Sequence, residues 1–205
     1  MSLPLIGPLI GPLIGPLSGP PSGTLNLPSP GPTRLRVPDL LHACDQAADA
    51  VLSGRYDHVL PAGGPPDLRR TFARIHGDDE LDVWLISWVP GRPTELHDHA
   101  GSLGALTVLS GSLNEFRWDG ATLRRRRLEA GDQAGFPLGW VHDVVWAPRT
   151  VSESDPGSAS ARPEPTLSVH AYSPPLTAMS YYEVTHGDRL RRRRTELTDH
   201  LEGPS

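Results

Sequence analysis

Cysteine is nearly absent: Cys44 is the single one in 205 residues. No disulfide can close within the chain, so a reducing, cytoplasmic setting is expected. Hydrophobic residues reach only 37%, low for a globular chain, yet the length still allows one domain with its own core. The leading segment "LPLIGPLIGPLIGPLSGPPSG" lacks the basic start and unbroken apolar stretch of a signal peptide. It cannot span a bilayer either, because Gly-Pro recurs every four residues. The net charge of −5 argues against a nucleic-acid partner. Two arginine runs, "RRRR" at 124–127 and "RLRRRR" at 189–194, oppose that reading. No aromatic residues alternate with them as a stacking platform requires. They read as a solvated strand edge and a solvated tail. Neither nucleic acid nor membrane is expected as a partner, and a monomer is.

Proline (23) and glycine (21) are abundant instead. Much of the excess lies in the Leu-Ile-Gly-Pro repeat, where missing donors and loose backbone oppose both helix and sheet. Residues 1–35 are therefore expected to be a disordered tail, with an apolar arm for a partner as the alternative. "VPDLLHACDQAADAVLSG" (37–54) has helical apolar spacing, Asp39 near its start and a closing glycine. His42 and Cys44 are read there as packing residues. From about residue 68 the chain changes to short runs rich in β-branched and aromatic residues: "FARIH", "LDVWLISWV", "TELHDH", "GALTVLSGSLNEFRW", "TLRRRRLEA", "DQAGFP", "HDVVWA", "TLSVHAYS" and "MSYYEV". Such spacing predicts a sandwich or barrel. Asp119-Gly120 marks a hairpin. "RTVSESDPGSASARPEP" (149–165) reads as a mobile polar loop. The expected fold class is mainly β, a small antiparallel barrel with a short N-terminal helix. The folded domain spans 36–186, and a charged tail follows over 187–205.

"ELHDH" puts His97 and His99 two residues apart, so both point to one side of a strand. Two converging neutral imidazoles can begin a metal site. The stretch from Gly91 to Gly111 reads G-x5-H-x-H-x11-G, and Gly131 to His142 reads G-x5-P-x-G-x2-H. Together they resemble the two sequence motifs of the cupin family, jelly-roll β-barrels. The resemblance implies that His97, His99 and His142 converge inside the barrel on one metal. Where the family's first motif usually supplies a glutamate ligand, this chain has Gly104. Trp146 stands where the second motif commonly ends in asparagine. Three imidazoles without a carboxylate leave the metal its full double positive charge and three open positions. That favours an anionic substrate occupying two of them and dioxygen the third.

"LSVHAYSPPL" (167–176) places Ser168, His170 and Tyr172 on one strand face. With "HDHAGS" and the Ser-Pro-Pro after the tyrosine, it resembles the thiol dioxygenases, cysteine dioxygenase most closely, over about residues 70–183. The resemblance implies a mononuclear Fe(II) centre on His97, His99 and His142, and a relay of Ser168, His170 and Tyr172 whose phenol lies beside substrate and oxygen. It implies that Arg74 pairs with the substrate carboxylate, with Arg69 and Arg70 as competitors. A forked guanidinium suits that role. It also implies oxidation of L-cysteine by O2 to the sulfinate. In animal members a cysteine near the metal is cross-linked to the tyrosine. Gly104 occupies that position here, so Tyr172 is expected to remain a free phenol. Trp88 and Leu106 are read as apolar walls. Three alternatives stay open: a dioxygenase of another small thiol such as 3-mercaptopropionate, a non-catalytic metabolite-binding cupin, and a cupin isomerase using Zn or Mn. Relatives acting on 3-mercaptopropionate tend to carry glutamine where this chain has Arg74, which favours cysteine.

Overall fold

The computed structural model of the chain describes residues 34–59, 70–91, 94–148 and 166–197. The Leu-Ile-Gly-Pro tail, Arg69, the 149–165 loop and the last eight residues lie outside the described residues.

Helix α1 (Val37–Leu52) opens with Pro38 in its first turn, and the Asp39 carboxylate accepts the Arg36 N–H at 2.7 Å. Its buried residues, Leu40, Cys44, Ala48 and Val51, form a stripe at helical spacing. Among the described residues eleven strands follow: β1 (Thr71–Gly77), β2 (Asp82–Trp88), β3 (His97–Asp98), β4 (Leu103–Ser110), β5 (Ser112–Trp118), β6 (Leu123–Glu129), β7 (Gln133–Phe136), β8 (His142–Trp146), β9 (Thr166–Ser173), β10 (Ala178–Thr185) and β11 (Arg189–Leu197). They form two antiparallel sheets, ordered β1-β2-β9-β4-β7 and β11-β10-β3-β8-β5-β6. This is the jelly-roll arrangement, mainly β as expected. Its two sheets are hydrogen-bonded separately, so the barrel does not close into one continuous ladder.

Alternation along each strand of the five-stranded sheet divides its two faces. Val83, Leu85, Ala105, Val169 and Ala171 pack against the α1 stripe. Trp84, Ile86, Trp88, Leu106, Val108 and Tyr172 face the second sheet, where they meet Leu113, Leu128, Val144, Met179 and Tyr181. Both faces of this sheet are therefore covered, which explains why β2 is buried along its whole length. Gly135 permits the helix to dock, since a Cβ there would lie 2.4 Å from Val37 Cγ1.

Nine runs read as strands are strands, with one division. "GALTVLSGSLNEFRW" is β4 and β5, broken at Gly111, whose φ of +70° suits a residue without Cβ. The Asp119-Gly120 hairpin joins β5 to β6, with the Asp119 carboxylate accepting the N–H groups of Ala121 and Thr122. The expected charged tail from 187 gives way to a strand. Arg189–Leu197 pairs with β10 along its length, and Glu183 takes ion pairs from Arg191 and Arg193. Both arginine runs thus lie on the two edge strands of one sheet, where charge opposes further strand pairing. Cys44 is buried as read, but His42 is exposed and bonded to Gln46 at 3.0 Å. Among the described residues no helix is long and apolar enough to cross a membrane.

Candidate metal centre

Strand pairing brings the three histidines together. His97 on β3 lies directly opposite His142, the first residue of β8, and opposite Tyr181 of β10 on its other side. His99 follows one residue after β3 ends. Glu95 (φ 67°) and Ala100 (φ 49°) bracket the histidine pair, and both adopt the left-handed region that non-glycine residues rarely occupy. Such backbone costs of order 1–2 kcal/mol per residue and is concentrated at functional sites. The ring centroids lie 4.9 Å apart for His97–His142 and 5.2 Å apart for both His97–His99 and His99–His142. One nitrogen from each comes within 4.8 Å of the others, and all three side chains are buried.

Burial depresses the proton affinity of His97 and His99 well below the usual imidazole range, and the neighbouring histidines push in the same direction. Neutral imidazoles with converging lone pairs suit a metal ion. Among the described residues His142 Nε2 is buried without a hydrogen-bond partner, as expected of an atom whose partner is a metal. His97 Nδ1 is bonded to the Glu95 carbonyl oxygen at 2.8 Å. His142 Nδ1 is bonded to Glu115 Oε1 at 3.1 Å. Burial works against the Glu115 charge, but hydrogen bonds from His142, Trp140 and Arg126 outweigh it and hold the carboxyl down at about 2.

The opposing sheet supplies the second group. On β9, Ser168 Oγ lies 2.9 Å from His170 Nε2, and His170 Nδ1 lies 3.3 Å from the Tyr172 hydroxyl. Trp88 Nε1 donates to Ser168 Oγ at 2.8 Å, extending the row by one member. The Tyr172 ring stands 4.8 Å from that of His99, so the row ends against the histidine trio. Burial raises the Tyr172 phenol above its usual range and lowers His170 to about 3. Leu106 is fully buried opposite His170, and Trp88 is buried in the same cluster. Gly104 lies opposite both Tyr172 and Phe136. A Cβ there would be 2.9 Å from Phe136 and 3.3 Å from the Tyr172 ring. Phe136 occupies the space a glutamate ligand would need. Cys44 is on the helix side of the sheet, bonded to the Val169 carbonyl, so it cannot join Tyr172.

Arg74 does not reach the trio. It pairs with the buried Asp82, and its side chain is about a third exposed. The arginine at the site is Arg70, read as a competitor. It stacks on Trp88 at 4.0 Å, and its Nε and Nη2 are buried without a hydrogen-bond partner among the described residues. Burial pulls its proton affinity down, opposed by Tyr172, Asp143 and Tyr181, and the guanidinium stays cationic at neutral pH. Its charge in turn acts on His97 and His170. Glu115 and Tyr181 were not singled out from sequence. In "LNEFRW", Glu115 shares the inward face with Leu113, and that alternation was the available signal.

A family model described as "Cysteine dioxygenase type I" matches residues 66–185, more than half of the chain. The chain belongs to the cysteine dioxygenase type I family. The matched span holds the histidine trio, the β9 row and Arg70. Among solved structures, this family member is similar to an uncharacterised protein with a double-stranded β-helix domain from Klebsiella pneumoniae. That match has 21% identity, covers 58% of this chain and 80% of that one, and has a TM-score of 0.43. It is also similar to KdgF from a Halomonas species (18% identity, 53% and 85% covered, TM-score 0.40). A third is an RmlC-like cupin from Shewanella frigidimarina (19% identity, 51% and 76% covered, TM-score 0.39).

The β9 row makes this cysteine dioxygenase family member sensitive to acid. His170 stays neutral in the folded protein down to about pH 3, whereas unfolded it takes a proton near 6.5. Below that pH the unfolded chain binds more protons, so stability is complete above about 6.5 and declines beneath it. The slope reaches about 1.4 kcal/mol per pH unit for this residue alone. Glu115, depressed from 4.5 to about 2, adds a further loss only below about pH 4.5. Urea midpoints of metal-free protein are expected to fall from pH 7.5 to pH 5, and His170→Gln to flatten the fall between pH 6.5 and 5. An unchanged slope in that variant would contradict the assignment.

Proposed function

We propose that the protein oxidises L-cysteine with O2 to cysteine sulfinate at an Fe(II) ion held by His97, His99 and His142. Family membership supports thiol dioxygenation. The observation that carries a carboxylate-bearing thiol as substrate is Arg70, whose Nε and Nη2 are buried beside Trp88 without a hydrogen-bond partner among the described residues. A buried charge of this kind is unfavourable unless an anion meets it, and a substrate carboxylate supplies one bidentately.

Iron would supply positions where thiolate and dioxygen bind side by side and exchange electrons. The protein's residues do the rest. Arg70 anchors the carboxylate against the Trp88 wall and so fixes where the sulfur lies. Trp88 donates to Ser168, whose hydroxyl then donates to His170 Nε2. His170 Nδ1–H donates to the Tyr172 oxygen, which leaves the phenol proton free to hydrogen-bond the substrate or the reacting oxygen. Burial keeps that phenol protonated. Phe136 and Tyr172 fill the space in which a fourth protein ligand from position 104 would stand, so the three histidines would hold the ion and leave the rest of its shell to reactants. The thiol and one O2 give the sulfinic acid with no other reductant: sulfur loses four electrons and dioxygen takes four.

The test is oxygen uptake and product analysis on iron-loaded protein with L-cysteine, 3-mercaptopropionate and cysteamine. Cysteine is expected to give sulfinate at the highest kcat/KM. Preference for 3-mercaptopropionate would move the assignment to the other thiol, and absence of uptake with all three would remove the dioxygenase reading.

A further inference from the structure

The six-stranded sheet carries one polar row on its inner face. From one edge to the other it runs Arg194, Tyr181, His97 and His142, then Glu115, two residues along β5 from the Arg117 opposite His142, and Arg126. Glu115 is 2% exposed, and donors surround it. His142 Nδ1 and Trp140 Nε1 each reach Oε1 at 3.1 Å, and Arg126 reaches Oε2 through Nε at 3.1 Å and Nη2 at 2.6 Å.

An ionised carboxylate only accepts hydrogen bonds. His142 Nδ1 must therefore carry the proton, which leaves Nε2 bare. Nε2 is buried without a hydrogen-bond partner among the described residues, and His142 offers one nitrogen to the trio. His97 gets the same tautomer from a neutral carbonyl, whereas His142 alone is backed by a full negative charge. An acceptor of that kind fixes ring orientation and raises ligand basicity. We infer that Glu115 is the positioning residue that sets the ligating tautomer of His142, with Arg126 as its counter-ion and Trp140 as its second tether. The site is not devoid of carboxylate after all: the charge that Gly104 cannot supply to the metal stands one residue further out. Arg126, on the edge strand, is thereby part of the centre, unlike the other arginines of β6.

The inference rests on the metal reading of the trio, and two measurements on the whole chain separate the two. Long-range 15N–1H NMR of the metal-free protein is expected to show His142 protonated at Nδ1. Titration with Fe(II) under argon, and with Co(II) followed by its visible absorption, is expected to show E115Q binding about 10–100-fold more weakly than the unmodified protein. Arg126→Gln removes the counter-ion but keeps the carboxylate on His142, so it is expected to retain the Nδ1 proton and to weaken metal binding less than E115Q does. A purely structural ion pair would give the reverse, with both substitutions lowering stability and neither changing tautomer or affinity. Proton on Nε2 in the unmodified protein, or E115Q affinity within twofold of it, overturns the inference while leaving the trio as the metal site. Failure of the unmodified protein to bind either metal overturns both. Should E115Q not fold, the tautomer of the unmodified protein decides.

Discussion

Arg70→Gln is expected to raise KM for L-cysteine about 100-fold while leaving KM for cysteamine within a few-fold. Truncating one partner of a buried, hydrogen-bonded charge pair loses about 2–5 kcal/mol, and each 1.4 kcal/mol is tenfold. Cysteamine has no carboxylate, so it never gains the interaction. Stability gives an independent check. Arg70 Nε and Nη2 have no hydrogen-bond partner among the described residues, and the stacking on Trp88 is worth only about 1–2 kcal/mol. The variant should therefore melt within a few degrees of the unmodified protein. Arg74→Gln is the control with opposite signs. It leaves the Asp82 carboxylate buried without its cation, and is expected to lower stability by about 1–3 kcal/mol, less than a fully buried pair because Arg74 is partly exposed. Its KM for cysteine should stay unchanged. A KM effect from Arg74 and none from Arg70 would return the carboxylate role to the β1 arginine.

His97→Ala is expected to lower metal affinity by more than the roughly 10–100-fold typical of losing an outer partner, and to reduce thiol oxidation to background. His97 contacts both other rings, as each member of the trio does, and faces His142 across the strand pair. Its removal leaves two nitrogens where three are needed to hold the ion. Equilibrium dialysis against a chelator, together with oxygen uptake, measures both effects. Metal retention equal to that of the unmodified protein would mean that the ion lies elsewhere.

Local spacing made much of this legible. The x-H-x-H pattern aims His97 and His99 to one side before any contact is known, whereas His142 joined them through the resemblance to the cupin motifs, and strand pairing brings the three together. Ser168, His170 and Tyr172 could be grouped for the same reason, and their hydrogen bonds follow the order of the chain. The edge strands were harder. Arg189–Leu197 lacks apolar alternation because as an edge strand it buries little, so it read as a tail. Its pairing with β10 supplies what composition did not.

The choice between Arg70 and Arg74 could not be made along the chain, since both stand near the start of one strand. Asp82 decides it: register places Trp84 opposite Arg74 and Asp82 beside it, and the nearer cation is consumed there. Glu115 is a similar case, because a glutamate in a strand ordinarily faces water. Only the approach of Trp140, Arg126 and His142 from three other segments makes it a buried acceptor. By itself the sequence determined which side chains share a face, because that depends on backbone geometry between near neighbours. Tertiary structure decided which charges neutralise one another and which stay free for a ligand, because that depends on distances between residues far apart in the chain.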